Sequence, residues 1–414
     1  MQSASRIAVV AAMLIAACPA LAATYDAHFR VEAQPASGSL HVELKLSGEK
    51  LPGKIVFTID PRRHRNFTST DSVEVADDTV TWRPHGKYSR LYYDFVVNHE
   101  RSSGRFDSLM TRDWALFRGD RLVPSARVTA VRGLESRSTL EFQLPQEWTA
   151  VSAYPILPSG HFHIDDPGRR FDRPRGWMLI GKLGKRSELI GGVQTIVAAP
   201  AGDSARRQDM LSFLNWNLPH LLNVFPDFPR RLLVVSAGDP MWRGGLSGPS
   251  SLFIHASRPL ISENRTSTLL HELVHVAMGL HGDEESDWIV EGFAEYYSLE
   301  TLHRSGGIGQ QRYEQAMQRL EKWGRRTINL FDAKSSGATT ARAVIVMKEV
   351  DSEIRSLTRD KASLDDVARE LAARGGEVTL ERLQATAQKI AGKPLESLER
   401  ATLSGQPSKP SPVR

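Results

Sequence analysis

His271-Glu272-Leu273-Val274-His275 is followed, after 15 intervening residues, by Glu291 in the stretch Asp287-Trp288-Ile289-Val290-Glu291-Gly292-Phe293-Ala294-Glu295-Tyr296-Tyr297. On a helix, positions i and i+4 share one face. His271 and His275 can therefore grip one metal ion while Glu272 projects beside it as a general base. Leu269, Leu270, Leu273, Val274, Ala277 and Met278 make the same helix apolar, as a helix under an active site should be.

Such a site needs a third protein ligand, and two residues can supply it. Glu291 should lie on the next helix, packed antiparallel to the first, with Glu295 one turn further on and facing the same way. Glu295 can accept a hydrogen bond from the far nitrogen of a ligating histidine and fix its tautomer. Acidic side chains on a helix face otherwise made of Ile, Val, Phe and Ala need partners to be buried; a dication and imidazole N–H groups provide them. The alternative ligand is His281, six residues after His275. That is the metzincin spacing HExxHxxGxxH, but Met278 stands where the pattern needs a glycine, and Gly279 is displaced by one.

Working outward, the chain of 414 residues has room for two or three domains, and its 41% hydrophobic and 24% charged content describe globular cores. Lys plus Arg exceeds Asp plus Glu by 53 to 48, a small and dispersed excess. Arg62 to Arg65 and Arg169, Arg170, Arg173 and Arg175 are local basic runs without a nucleic-acid-binding motif around them, so no nucleic-acid partner is expected. The single cysteine, Cys18, excludes an intramolecular disulfide and a Cys-based metal cluster. His161, His163 and Asp165 sit in a Gly/Pro-rich connection and read as linker.

Residues 1–22 carry an export signal: Arg6, the apolar stretch Ile7–Ala17, and the A-x-A site Ala20-Leu21-Ala22. The mature chain is expected to begin near Ala23, in the periplasm or secreted, with no transmembrane segment. Ile15-Ala16-Ala17-Cys18 also resembles a lipoprotein box, which would make Cys18 a lipid anchor at the envelope. Residues 23–160 read as β-branched and aromatic strands at sandwich-like spacing. Residues 161–310 alternate strands (Met178–Leu183, Val193–Ala198, Arg231–Ser236, Ser251–His255) with helices (Ser204–Val224, Thr266–Leu280, and one from Asp287). Residues 311–400 read as helical, with Ser363 capping a helix that Gly375-Gly376 ends, and 401–414 as a disordered tail. The expected class is multidomain α+β: a β-sandwich-like domain, a catalytic domain and a helical subdomain.

Trp288-Ile289-Val290-Glu291-Gly292-Phe293-Ala294-Glu295-Tyr296 resembles the W-x-x-E-G-F-A-E-Y helix of gluzincin metallopeptidases, in the aminopeptidase N and glycyl aminopeptidase families. The glycyl aminopeptidase family is the nearer match, through Val344–Arg355 and Ser363–Leu371, although its members often end in a PDZ domain for which this chain has no room. The resemblance implies a thermolysin-like catalytic domain and one zinc ion held by His271, His275 and Glu291. It further implies that Glu272 activates the zinc-bound water for attack on a peptide bond. Gly244 and Gly245 fall where the family's substrate-contacting edge strand lies, but Ser247 replaces the glutamate that binds a free amino terminus. Thr340 falls near the family's oxyanion-binding tyrosine; Tyr296, Tyr297 or a nearby histidine would have to replace it. The expected function is peptide hydrolysis of aminopeptidase or endopeptidase type, with a peptide or protein as substrate. The alternatives are a zinc-binding relative, catalytically weak or inactive, that binds peptides or envelope proteins, and a metzincin-type protease using His281.

Overall fold

The computed structural model describes residues 23–165, 170–331 and 335–405. The export signal, Cys18 and the end of the expected tail lie outside these residues.

The first half is built by period-two alternation. Along Thr24–Gln34 the side chains of Tyr25, Ala27, Phe29, Val31 and Ala33 are buried, and Leu40, Val42, Leu44 and Leu46 answer them from the antiparallel strand Ser39–Ser47. These two strands sit in a six-stranded sheet. A four-stranded sheet that includes Lys54–Thr58 and Thr79–Arg83 adds Phe57, Val80 and Trp82 to the same core.

A third, five-stranded sheet joins Trp114–Arg118 to Trp177–Gly181. Its outer face brings Leu116, Trp177 and Leu179 into a separate core with Val235 and Phe253 of the following layer. Strand pairing therefore continues past the expected boundary at residue 160. Phe162–Ile164 pairs with Glu135–Gln143, inside the stretch read as a linker. The strand expected at Met178–Leu183 to open the second half belongs to this third sheet. The cause is two-sided burial: all five residues of Trp177–Gly181 are buried, so the strand is sandwiched between layers.

The second half is a five-stranded mixed sheet ordered Leu183–Ile190, Val193–Pro200, Arg231–Ala237, Ser251–His255, Gly245–Gly248. The central three run parallel, and Gly245–Gly248 is an antiparallel edge. The strand Leu183–Ile190 was not expected. Its residues between Lys185 and Leu189 are exposed, so no apolar pattern marks it. The turn Gly191-Gly192, with φ of 56° and 86°, closes its hairpin. Helix α1 (Arg207–Val224) carries the chain between the second and third strands of this order, burying Met210, Leu214, Leu218 and Leu221.

Helix α2 (Thr268–Met278) begins at Ser267, whose side chain accepts from the Leu270 amide, and ends at Gly279 in the left-handed region. It packs on the sheet edge and on helix α3 (Asp287–Arg304). Helices α4 (Gln310–Gly324), α5 (Ala338–Thr358), α6 (Leu364–Arg374) and α7 (Leu380–Ala391) complete this half. Ser363 and Asp366 form a full capping box at the start of α6. Among the described residues, no helix is long and apolar enough to cross a membrane.

Gly292 lets α3 lie against α5: a Cβ there would stand 2.9 Å from the Cβ of Ala343. Gly292→Val should overpack this contact and destabilise the protein by about 1–3 kcal/mol. Urea denaturation of the metal-free protein tests this; an unchanged midpoint would show that the helices do not need the close approach.

Candidate metal centre

Helices α2 and α3 bring His271, His275 and Glu291 together, with one potential ligand atom of each lying within 4.8 Å of the others. His271 Nε2 is 3.2 Å from His275 Nε2 and 3.3 Å from Glu291 Oε2; His275 Nε2 is 3.5 Å from Glu291 Oε1. On its other side His271 Nδ1 donates to Glu295 Oε2 at 2.9 Å. A carboxylate only accepts, so this bond places the hydrogen on Nδ1 and, in the neutral ring, turns the Nε2 lone pair toward His275 and Glu291. Lone pairs and a carboxylate converging at these distances call for a cation between them. Two imidazoles and one carboxylate are a donor set that fits zinc.

The electrostatics agree. Burial opposes the charged form of His271, but the Glu291 and Glu295 carboxylates outweigh it and hold its pKa well above the ordinary histidine value. Burial, with the His271 charge beside it, pushes His275 down to about 4. Burial pushes Glu272, 8% exposed, up to about 7, against the opposing pull of His271. Metal-free, the site thus holds a proton where a metal would place its charge.

Glu272 lies against the edge strand. A Cβ on Gly245 would stand 2.5 Å from its Cγ, so the glycine gives the glutamate its space. The Ser247 hydroxyl and amide act on the same carboxylate and favour its charged form. Gly244 is closed over by the Trp242 ring, which a Cβ there would meet at 2.3 Å.

His281 is not in the cluster. It lies exposed just after α2, in a short bridge where Leu280–His281 pairs with Gly376–Glu377. Tyr296 and Tyr297 are also placed elsewhere. Tyr297 donates to Asp365 Oδ1 at 3.0 Å, and Tyr296 is buried within reach of the charges of Glu300 and Asp351. Thr340 sits in the first turn of α5. His163 lies in the edge strand of the first sheet and His161 just before it, with His161 Nε2 3.8 Å from Glu141.

Sequence reasoning missed the ties that hold α3. Arg304 Nη1 and Tyr297 both bond Asp365 at the start of α6, and the Ser298 hydroxyl donates to the Ser267 carbonyl at the start of α2. Asp365 carries the sequence signature of a helix first turn, and nothing local to it announces the distant partners.

No protein-family model matches the chain, and no curated protein matches it in sequence. Solved structures do match in fold. An aminopeptidase N family protein from Idiomarina loihiensis is similar over 84% of this chain and 70% of its own, at 14% identity and a TM-score of 0.64. An M1 zinc metallopeptidase from Deinococcus radiodurans is similar over 94% of both chains, at 16% identity and a TM-score of 0.58. A mutant of that enzyme bound to a Tyr-Ser-Ala substrate is similar over 94% of this chain and 95% of its own, at 14% identity and a TM-score of 0.60. The chain thus has a multidomain α/β fold similar to that of M1 zinc metallopeptidases.

Proposed function

We propose that the protein is an exported zinc-dependent peptidase that holds one zinc ion through His271, His275 and Glu291. The observation that carries this reading is the convergence of those three side chains beside the buried carboxylate of Glu272. Bound there, zinc supplies the charge that acidifies a water and polarises a peptide carbonyl. Glu272 takes the proton of the attacking water and delivers it to the leaving amine. Glu295 keeps the His271 ring in one tautomer and orientation through the Nδ1 hydrogen bond. Gly245 opens the edge strand along which a substrate backbone lies, and Gly244 just precedes it. Because Ser247 is neutral where an amine-binding carboxylate is expected, the reading favours an endopeptidase or a peptidase of narrow specificity.

A second reading is a zinc-binding relative that holds peptides without cutting them. The commitment of Tyr297 to Asp365 favours it, because that hydroxyl is then not offered to an oxyanion. Glu272 separates the two readings, since a purely structural metal site has no use for it.

Three outcomes test the proposal. His271→Ala and Glu291→Ala should each abolish stoichiometric zinc in the purified protein, whereas His281→Ala should leave it intact. Glu272→Gln should keep the zinc and lose about 100- to 10,000-fold in hydrolysis of a peptide library. A wild-type protein that holds zinc and cuts nothing would establish the second reading.

Zinc binding should also release protons. His271 is protonated at neutral pH in the metal-free site, and zinc must displace that proton. Apparent affinity should therefore rise with pH, by about tenfold per unit for each proton displaced. Calorimetry at pH 7 in buffers of different ionisation enthalpy measures this directly; a binding enthalpy that does not depend on the buffer would contradict it.

Export is part of the proposal and rests on residues 1–22. Mass spectrometry of the protein from the producing cell should show an N-terminus at Ala23. A lipidated Cys18 would make it an envelope lipoprotein instead.

A further inference from the structure

A cavity of about 760 Å3 opens between the β-rich half and the edge strand, with Arg63, Arg118 and Arg121 on one side and Trp177 and Leu246 on the other. Its lining includes six arginines against three aspartates. The aspartates are already engaged. Asp60 pairs with Arg62 at 3.1 Å, Asp107 with His99 at 2.6 Å and Arg101 at 3.6 Å, and Asp120 with Arg118 at 2.9 Å.

Positive charge is left over. Arg63 is 8% exposed, and its guanidinium donates only to neutral acceptors: the carbonyls of Val96 and Val97 and the Ser108 hydroxyl, at 3.1, 2.8 and 3.1 Å. Among the described residues no carboxylate forms an ion pair with it. Burial accordingly pushes its pKa down to about 10. Asp107 and Asp60 act on it only at a distance; a buried cation with no direct ion pair is costly, and an anion in the cavity would relieve that cost. Arg121 is exposed at the cavity wall, and among the described residues its side chain has no partner.

The cavity is also wired to the edge strand. Arg118 Nη1 donates to the Ser247 carbonyl at 3.3 Å, and Trp177 Nε1 donates to the Leu246 carbonyl at 2.8 Å. Ser247 acts from its other groups on Glu272. Gly245–Gly248 is the last strand of its sheet, and such an edge can accept an extended peptide. A peptide lying there would pass the mouth of the arginine cavity. Guanidinium forks match carboxylates in paired hydrogen bonds. A volume of this size suits a few side chains rather than a nucleic-acid strand, which needs an open basic stripe.

We propose that this cavity is an anion-binding subsite that takes the Asp or Glu side chains of an acidic peptide segment held along the edge strand. The inference rests on the reading of the chain as a peptidase, and its test is separate from turnover.

The test uses the full mature chain carrying Glu272→Gln, with a dye-labelled peptide rich in Asp and Glu and a twin in which Asn and Gln replace them. Fluorescence anisotropy should show the acidic peptide bound about tenfold more tightly than its twin, with the advantage shrinking as salt rises. Arg121→Ala, at an exposed position that does not threaten folding, should erase most of that advantage without weakening the twin. Arg63→Gln should do the same, with its thermal midpoint measured alongside to confirm that it folds. Equal affinity for the two peptides overturns the proposal, as does an Arg121→Ala variant that keeps full discrimination. Inorganic phosphate should displace the acidic peptide at millimolar concentration; phosphate that binds while the two peptides stay indistinguishable overturns a peptide subsite in favour of a phosphate site. Discrimination without hydrolysis by the wild type would sink the peptidase reading alone, and hydrolysis without discrimination would sink this inference alone.

Discussion

The structure depends on placing positive charge between α2 and α3. Three carboxylates, those of Glu272, Glu291 and Glu295, are drawn into the space around two imidazoles, with Glu291 and Glu295 keeping only 27% and 17% of their side-chain surface. Carboxylates so poorly solvated are tolerated only when paired. In the metal-free protein the His271 proton does the pairing, which is why its pKa rises while that of His275, buried beside the same charge, falls. A dication placed at the same point would satisfy the same carboxylates. The elements around the pair are shaped to keep that point small. Gly245 brings the edge strand onto Glu272 from one side, and Gly292 brings α5 against α3 from the other.

The His271, His275 and Glu291 cluster was legible in the sequence because its geometry is local to two helices. The i, i+4 spacing of His271 and His275 and the matching turn from Glu291 to Glu295 survive any reasonable error in helix ends, and the apolar residues between them mark those turns as buried. Ser363 and the buried strand Ser251–His255 were legible for the same reason: each announces itself within a few residues.

What escaped is non-local or polar. Leu183–Ile190 gains its place by pairing with Val193–Pro200, and its exposed Lys185, Arg186 and Glu188 conceal a strand. Phe162–Ile164 hides in a Gly/Pro-rich stretch because only its pairing with Glu135–Gln143 makes it a strand. The Asp365 junction with Arg304 and Tyr297 spans 61 to 68 positions of sequence. The arginine cavity is more dispersed still. Arg62 and Arg63 belong to a run that reads as a solvated surface, yet Arg63 is buried, while Arg118 and Arg121 are more than 50 residues further on. Composition reported a small, scattered basic excess; folding gathers part of it onto one wall.

Ser247 is where these two levels meet. At the sequence level it is a neutral residue where the resemblance to gluzincin peptidases implies a glutamate. In the structure its hydroxyl and amide bear on Glu272, and its carbonyl receives Arg118 from the β-rich half. A carboxylate at position 247 would place negative charge beside Glu272, whose pKa is already raised by burial, and would raise it further. It would also draw the nearby guanidinium of Arg118 away from Asp120. On the proposed reading, a neutral Ser247 and an arginine-lined cavity beside it act in one sense: both suit the strand to an anionic chain rather than to a cationic terminus.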